Sequence, residues 1–215
     1  MTIRLPRRRA LFILAAGAAA PSALLAAGVK TVQTDGRAEL EAFLANVTSA
    51  EGRFRQRVLD RSGKLVNDAE GVFAFRRPGA FLWNYEKPWR QQIVSDGATL
   101  WLYDEDLMQV TVKKMTDTLG TTPAAVLFGD GGIPKSWKVE SDAHAAALTP
   151  DQPQAGFEAV LIAFDDAGMP KLMRLLDSFG QTTEVAFIDF KALPDIDQTR
   201  FVFEIPEGVD VLKDG

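Results

Sequence analysis

The chain has 215 residues, 24 Lys and Arg against 29 Asp and Glu for a formal net charge of −5, a single His and no Cys. An acidic surface repels phosphate, which argues against nucleic acid and anionic bilayers as partners. Without Cys there is no disulfide or thiol nucleophile, and one His excludes a histidine metal cluster.

The first nine residues carry Arg4, Arg7, Arg8 and Arg9 with no acid, and residues 10–27 are almost wholly small or apolar. This is the pattern of a secretory signal peptide. A membrane anchor is the competing reading, but Pro21 and Ser22 interrupt the run and leave it short of the roughly 20 residues a span needs. Arg8-Arg9 also fits a twin-arginine signal, although an ordinary secretory signal explains the same charges. We expect removal of residues 1–27, which leaves 20 Lys and Arg against 29 Asp and Glu, a net charge of −9. The remaining 28–215 should form one unanchored, monomeric domain in the periplasm; β-rich chains of this size commonly fold as one unit.

Asp35 can cap a helix whose apolar positions Leu40, Phe43, Leu44 and Val47 fall at i, i+3, i+4 and i+7. From Arg53 the period changes to two: Arg53, Arg55 and Arg57 alternate with Phe54, Gln56 and Val58, a strand with one wet face. Turn signals at 61–64, 77–79, 95–97 and 104–106 separate short runs at 71–75, 81–85, 91–94, 99–103 and 107–112. Connections this short require antiparallel neighbours. At 120–129 the meander breaks. Thr122 as N-cap, Pro123 as first helical residue and Gly129 as stop predict a short, almost fully apolar helix containing Ala124, Val126, Leu127 and Phe128. Strands resume at 137–140, 157–164, 171–176, 182–190 and 200–205, and residues 142–154 are ambiguous. The whole predicts a mainly β fold: a curved antiparallel sheet of about 11 strands, an incomplete barrel, with two or three short helices as its only covering.

An enzyme is poorly supported. The chain has no Gly-x-Ser-x-Gly elbow and no His-Glu-x-x-His, and a Ser-His-Asp triad would have to use His144, in a soft Ala-rich segment. Aspartates 165, 166, 195 and 197 sit where strands turn, which turn chemistry explains. The other signal is aromatic excess on strands. Phe73 with Phe75, then Phe81, Trp83 and Tyr85, then Trp101 and Tyr103 repeat at spacing two, so each set faces one way. Core filling accounts for any one of them. As a group, roofed only by short helices, they predict an apolar cavity lined by Phe54, Phe73, Phe75, Phe81, Trp83, Tyr85 and Trp101. No cofactor or metal is expected.

The ordered set Arg77-Pro78-Gly79-Ala80-Phe81-Leu82-Trp83, Pro88, Val94-Ser95-Asp96-Gly97, Leu100-Trp101-Leu102-Tyr103-Asp104 and Thr122-Pro123 resembles the outer-membrane lipoprotein carrier family, the LolA type. Phe201-Val202-Phe203 with Pro206-Glu207-Gly208-Val209 fits that family's closing strand. The resemblance implies an incomplete β-barrel with a helical lid whose cavity takes the acyl chains of lipoproteins. It also implies two partners, an inner-membrane ABC transporter complex that loads the carrier and an outer-membrane lipoprotein receptor that unloads it. It makes Arg77 a latch, bonding lid carbonyls that align with Leu44, Leu127 and Phe128. Elementary chemistry agrees, since helix ends leave carbonyls unpaired and a five-donor fork can satisfy several. Against the family pattern Gly79 and Ala80 are smaller than usual and Phe128 is larger. The alternative is a periplasmic lipid- or lipoprotein-sensing regulator of the same fold, and such sensors usually append a second domain.

Overall fold

The structure, a computed structural model, describes residues 35–115, 127–128, 132–133, 137–151 and 157–213. The expected signal peptide and the lid residues Pro123, Ala124 and Val126 lie outside the described residues. Of two compact units, Met1–Val32 and Gln33–Gly215, the second holds everything described here.

Helix α1 spans Gly36–Asn46 and starts as its sequence predicts, with the Asp35 carboxylate accepting from the Arg37 amide at 3.0 Å. At its end the Val47 amide donates to the Phe43 carbonyl, and Val47 itself is extended. Leu40, Phe43 and Val47 are buried, while Arg37 pairs with Glu41 on the wet side at 2.9 Å. Gly36 lies directly on the backbone of the strand that contains Ala145. A Cβ there would stand 2.0 Å from the Ala145 carbonyl oxygen, so the missing side chain is what lets the helix settle.

Among the described residues twelve strands follow. They are β1 (Ser49–Leu59), β2 (Leu65–Arg76), β3 (Ala80–Lys87), β4 (Gln91–Asp96), β5 (Thr99–Asp104) and β6 (Gln109–Lys114), then β7 (Trp137–Asp142), β8 (Ala145–Pro150), β9 (Phe157–Phe164), β10 (Pro170–Asp177), β11 (Thr182–Leu193) and β12 (Asp210–Lys213). All join one sheet in the order β12-β6-β5-β4-β3-β2-β1-β11-β10-β9-β8-β7. The two ends of that order do not meet, so the sheet is open and curved rather than closed.

Three expectations need correction. The ambiguous stretch 142–154 supplies β8, whose Ala146 and Leu148 are buried. The closing strand expected at 200–205 is instead entered by a 3₁₀ helix, Gln198–Phe201, which Asp197 caps by accepting from the Thr199 amide and hydroxyl. Its Phe201 is fully buried and anchors the segment. The last strand forms at β12, and it runs parallel to β6. A parallel neighbour needs a long connection; here the chain between β6 and β12 passes through β7 to β11, and residues 194–209 carry it from β11 to that border.

The sheet's inner face, the one α1 covers, carries the main apolar core. Its outer face is laced with ion pairs that follow the alternation of β1: Arg53 with Glu86, Arg55 with Asp68 and Arg57 with Glu184. A second, smaller cluster of Ala74, Ala80, Ile196 and Phe201 sits on that outer side under the 3₁₀ helix.

The turn between β2 and β3 depends on Gly79, whose φ is +69° and whose added Cβ would meet the Gly97 Cα at 3.1 Å. A left-handed backbone costs an L side chain roughly 1–2 kcal/mol. Gly79→Ala should therefore lower stability by about 1–2 kcal/mol, read as an earlier urea midpoint at unchanged slope. An unmoved midpoint would mean the turn relaxes freely.

Candidate functional site

The inner face is built around aromatic rings that the register brings together. Phe73 pairs with Trp83 and Phe75 with Phe81 across β2 and β3, while Phe54 faces Phe187 across β1 and β11. Phe54 stacks on Trp83 with centroids 3.9 Å apart and meets the Tyr85 ring edge-on at 5.3 Å. The space that Phe54 fills is left by Gly71, where a Cβ would stand 2.9 Å from its ring and 1.9 Å from the Asn84 carbonyl oxygen.

Phe128 closes this face from above. Its side chain is fully buried, stacked on Phe75 at 4.4 Å and on Phe73 at 5.4 Å. Phe43 of α1 approaches the same floor, 6.3 Å from Phe75 and 5.9 Å from Phe190. Leu40, Phe43, Val47 and Leu127 join the same core, with Leu44 packed at its margin. The structure thus shows the aromatic floor occupied by the protein's own rings.

Arg77 stands where α1, β2 and residues 127–128 converge. Its Nε donates to the Val47 carbonyl at 3.1 Å, and a terminal nitrogen donates to the Leu127 carbonyl at 3.2 Å. The guanidinium carbon lies 5.4 Å from the Phe43 ring centroid and 5.0 Å from that of Phe75, within cation–π range. Burial among these rings pushes its pKa down to about 10, which leaves it charged at neutral pH. Val47 takes the place expected for Leu44. As the first extended residue after α1 it turns its carbonyl off the helix axis, towards the arginine. Phe128 contributes its ring to the core.

Trp101 is not part of this floor. The register sets it opposite Val94 and Val112, and its ring lies 6.2 Å from Phe203 on the outer face. On β5 it is Leu100 and Leu102 that belong to the inner core. Phe164, Phe187 and Phe190 are floor residues that the aromatic pattern of the early strands did not reveal. One polar contact is set into the face: the Tyr85 hydroxyl donates to Gln56 Oε1 at 3.0 Å, both groups buried. Burial pushes the Tyr85 pKa up.

An open sheet whose aromatic inner face is covered by α1 and Phe128, with Arg77 bonded to the Val47 and Leu127 carbonyls, agrees in outline with the lipid-carrier class that the sequence resemblance implies. The chain belongs to the family described as outer membrane lipoprotein carrier protein LolA, whose pattern matches residues 45–204. It is 41% identical over 188 residues to an outer-membrane lipoprotein carrier protein of Chromohalobacter salexigens, covering 85% of this chain and 89% of that one. A protein of the same description from Bordetella avium is 40% identical over 197 residues, 89% of this chain and 94% of the relative. Among solved structures, an uncharacterized conserved protein from Thermus thermophilus has the same fold, with a TM-score of 0.52 at 12% identity, covering 83% of this chain and 98% of that one.

Proposed function

We propose that this protein is a periplasmic carrier that buries the acyl chains of lipoproteins against the inner face of its sheet. It accepts them from an inner-membrane ABC transporter complex and delivers them to an outer-membrane lipoprotein receptor. Family membership supports the reading. The observation that carries it is the continuous aromatic floor, covered by Phe128 and α1, with Arg77 bonded to the Val47 and Leu127 carbonyls beside it. Among the described residues no helix is long and apolar enough to cross a membrane.

The energetics call for a grip that can be released. At about 0.8 kcal/mol per buried methylene, a 16-carbon chain represents roughly 12 kcal/mol of transfer from water. An acylated protein therefore does not leave a bilayer unaided, and a carrier that buried its chains without competition would not give them up. A closed form in which Phe128 and its neighbours refill the floor competes with the ligand and lowers the net affinity.

The reading is tested by displacement. An environment-sensitive fatty-acid analogue should bind the protein and be released by lipoprotein, but not by the same lipoprotein stripped of its acyl chains. Release by the unacylated protein would place the site on an outer groove and overturn the reading.

A further inference from the structure

The aromatic floor is not wholly apolar. Gln56, on β1, is 9% exposed and accepts from the Tyr85 hydroxyl at 3.0 Å, and Tyr85 is 6% exposed. That bond uses the acceptor of the Gln56 amide. Among the described residues no acceptor is found for its nitrogen, which keeps two N–H donors. Beside it Trp83, 1% exposed, has a buried Nε1 whose one acceptor among the described residues is the Tyr85 hydroxyl oxygen, met at an alignment too poor for a full hydrogen bond. Trp83 and Tyr85 lie two residues apart on β3, on the same face, with rings 6.4 Å apart. A donor with a poorly aligned acceptor, or with none in the protein, forfeits hydrogen bonding, and the core could have avoided that with Phe and Leu at these positions.

From this cluster we propose that Trp83 Nε1 and the Gln56 amide nitrogen form a recognition site for a neutral acyl carbonyl oxygen, the ester or amide oxygen at the head of an acyl chain. The inference rests on the carrier reading and deepens it, by assigning the polar head of the chain a place on the floor. Both groups can only donate to the ligand, so they suit an oxygen that can only accept. Both are uncharged, so a carboxylate brought here would lose its hydration without a cation to replace it, whereas an ester or amide carbonyl would not. The site becomes reachable when Phe128, 6.3 Å from Trp83 by ring centroids, withdraws from the floor.

The experiment uses a short peptide with an N-terminal cysteine whose S-glyceryl group bears two palmitoyl esters, and a twin in which both esters are hexadecyl ethers. A third compound adds one N-palmitoyl amide to the diether. Each is titrated against a bound alkyl dye that has no carbonyl. Ester linkages make the first compound the less hydrophobic of the pair, so chain burial alone favours the diether. The wild-type protein should nonetheless be titrated by the diester at about tenfold lower concentration. In Gln56→Met, which is nearly isosteric, that ratio should shrink, and in Gln56→Met with Trp83→Phe it should fall to one or below. A loss confined to the third compound would place the amide, rather than the ester, in the site. Because the readout is a ratio within each protein, general loosening of the floor cancels. Equal titration by diester and diether in the wild type with no loss of the third compound in the double variant, or a ratio that survives in the double variant, overturns the proposal and leaves the carrier reading standing. Failure of all three compounds to displace the dye overturns both.

Discussion

Arg77→Leu is expected to accept lipoprotein from the transporter and then fail to pass it to the receptor. In the closed form the guanidinium holds the end of α1 through Val47 and the roof through Leu127. Charge-assisted hydrogen bonds are worth about 1.5–3 kcal/mol each, and the Phe43 and Phe75 rings beneath the cation add to them. If the liganded form breaks these contacts, the substitution raises the free energy of the empty form alone. Net affinity for acyl chains should rise by about tenfold or more. If unloading relies on reclosure to refill the floor, it should slow in proportion. Arg77→Lys should rescue part of the unloading, because an ammonium can bond one carbonyl at a time but lacks the planar fork. A two-step transfer with purified partners, scoring loading and unloading separately, decides the matter. Normal unloading by Arg77→Leu would reduce the arginine to a structural cation.

Phe128→Ala should produce the other large effect. The ring is fully buried, stacked on Phe75 and Phe73 and within 6.4 Å of Trp83 and Phe187 by centroids. Removing such a ring from a packed site costs about 3–5 kcal/mol, which should appear in chemical unfolding of the lipid-free protein. If the ring occupies the space the acyl chain will take, the loss belongs to the empty form and the chain fills the hole. Acyl affinity should then increase at least tenfold while stability without ligand falls. A ring that is a permanent wall of the site predicts the opposite, a fall in both, and that result would remove Phe128 from the proposed exchange.

The period-two alternation around Phe54, Phe73, Phe75, Phe81, Trp83 and Tyr85 was enough to place these side chains on one face, because hairpins with short turns leave little choice of register. Leu40, Phe43, Leu44 and Val47 were equally legible from helical spacing. Trp101 was not, and the reason is physical. Period two says which residues share a face but not which face it is, and β5 is apolar on both because Phe203 covers its outer side. Phe187 and Phe190 were hidden by a different cause. They stand three apart, a spacing that regular alternation would split between faces. The irregularity opposite Glu51–Arg53, with Asp189 at a φ of +52°, turns both inward. The Gln56–Tyr85 contact depended on the pairing of β1, β2 and β3 across Gly71, which no local pattern shows. The arginine at 77 was recognisable from its neighbours in sequence, whereas its acceptor at Val47 followed from where α1 stops.

The open order of the sheet leaves two borders, and each is treated differently. At one, β12 lies in parallel register along β6 from Asp210 opposite Gln109 to Lys213 opposite Val112. All four of its residues are exposed. It adds little to the core and is itself the border strand, only four residues long, and a very short edge strand offers little template to a passing chain. At the other border β7 alternates Lys138 and Glu140 with Val139, and charges along a rim oppose the addition of a further strand. A sheet that has to open its greasy interior to take on cargo is most at risk of sticking to its own kind at such borders. The short rim at β12 and the charged rim at β7 allow the fold to stay unclosed without inviting fibres.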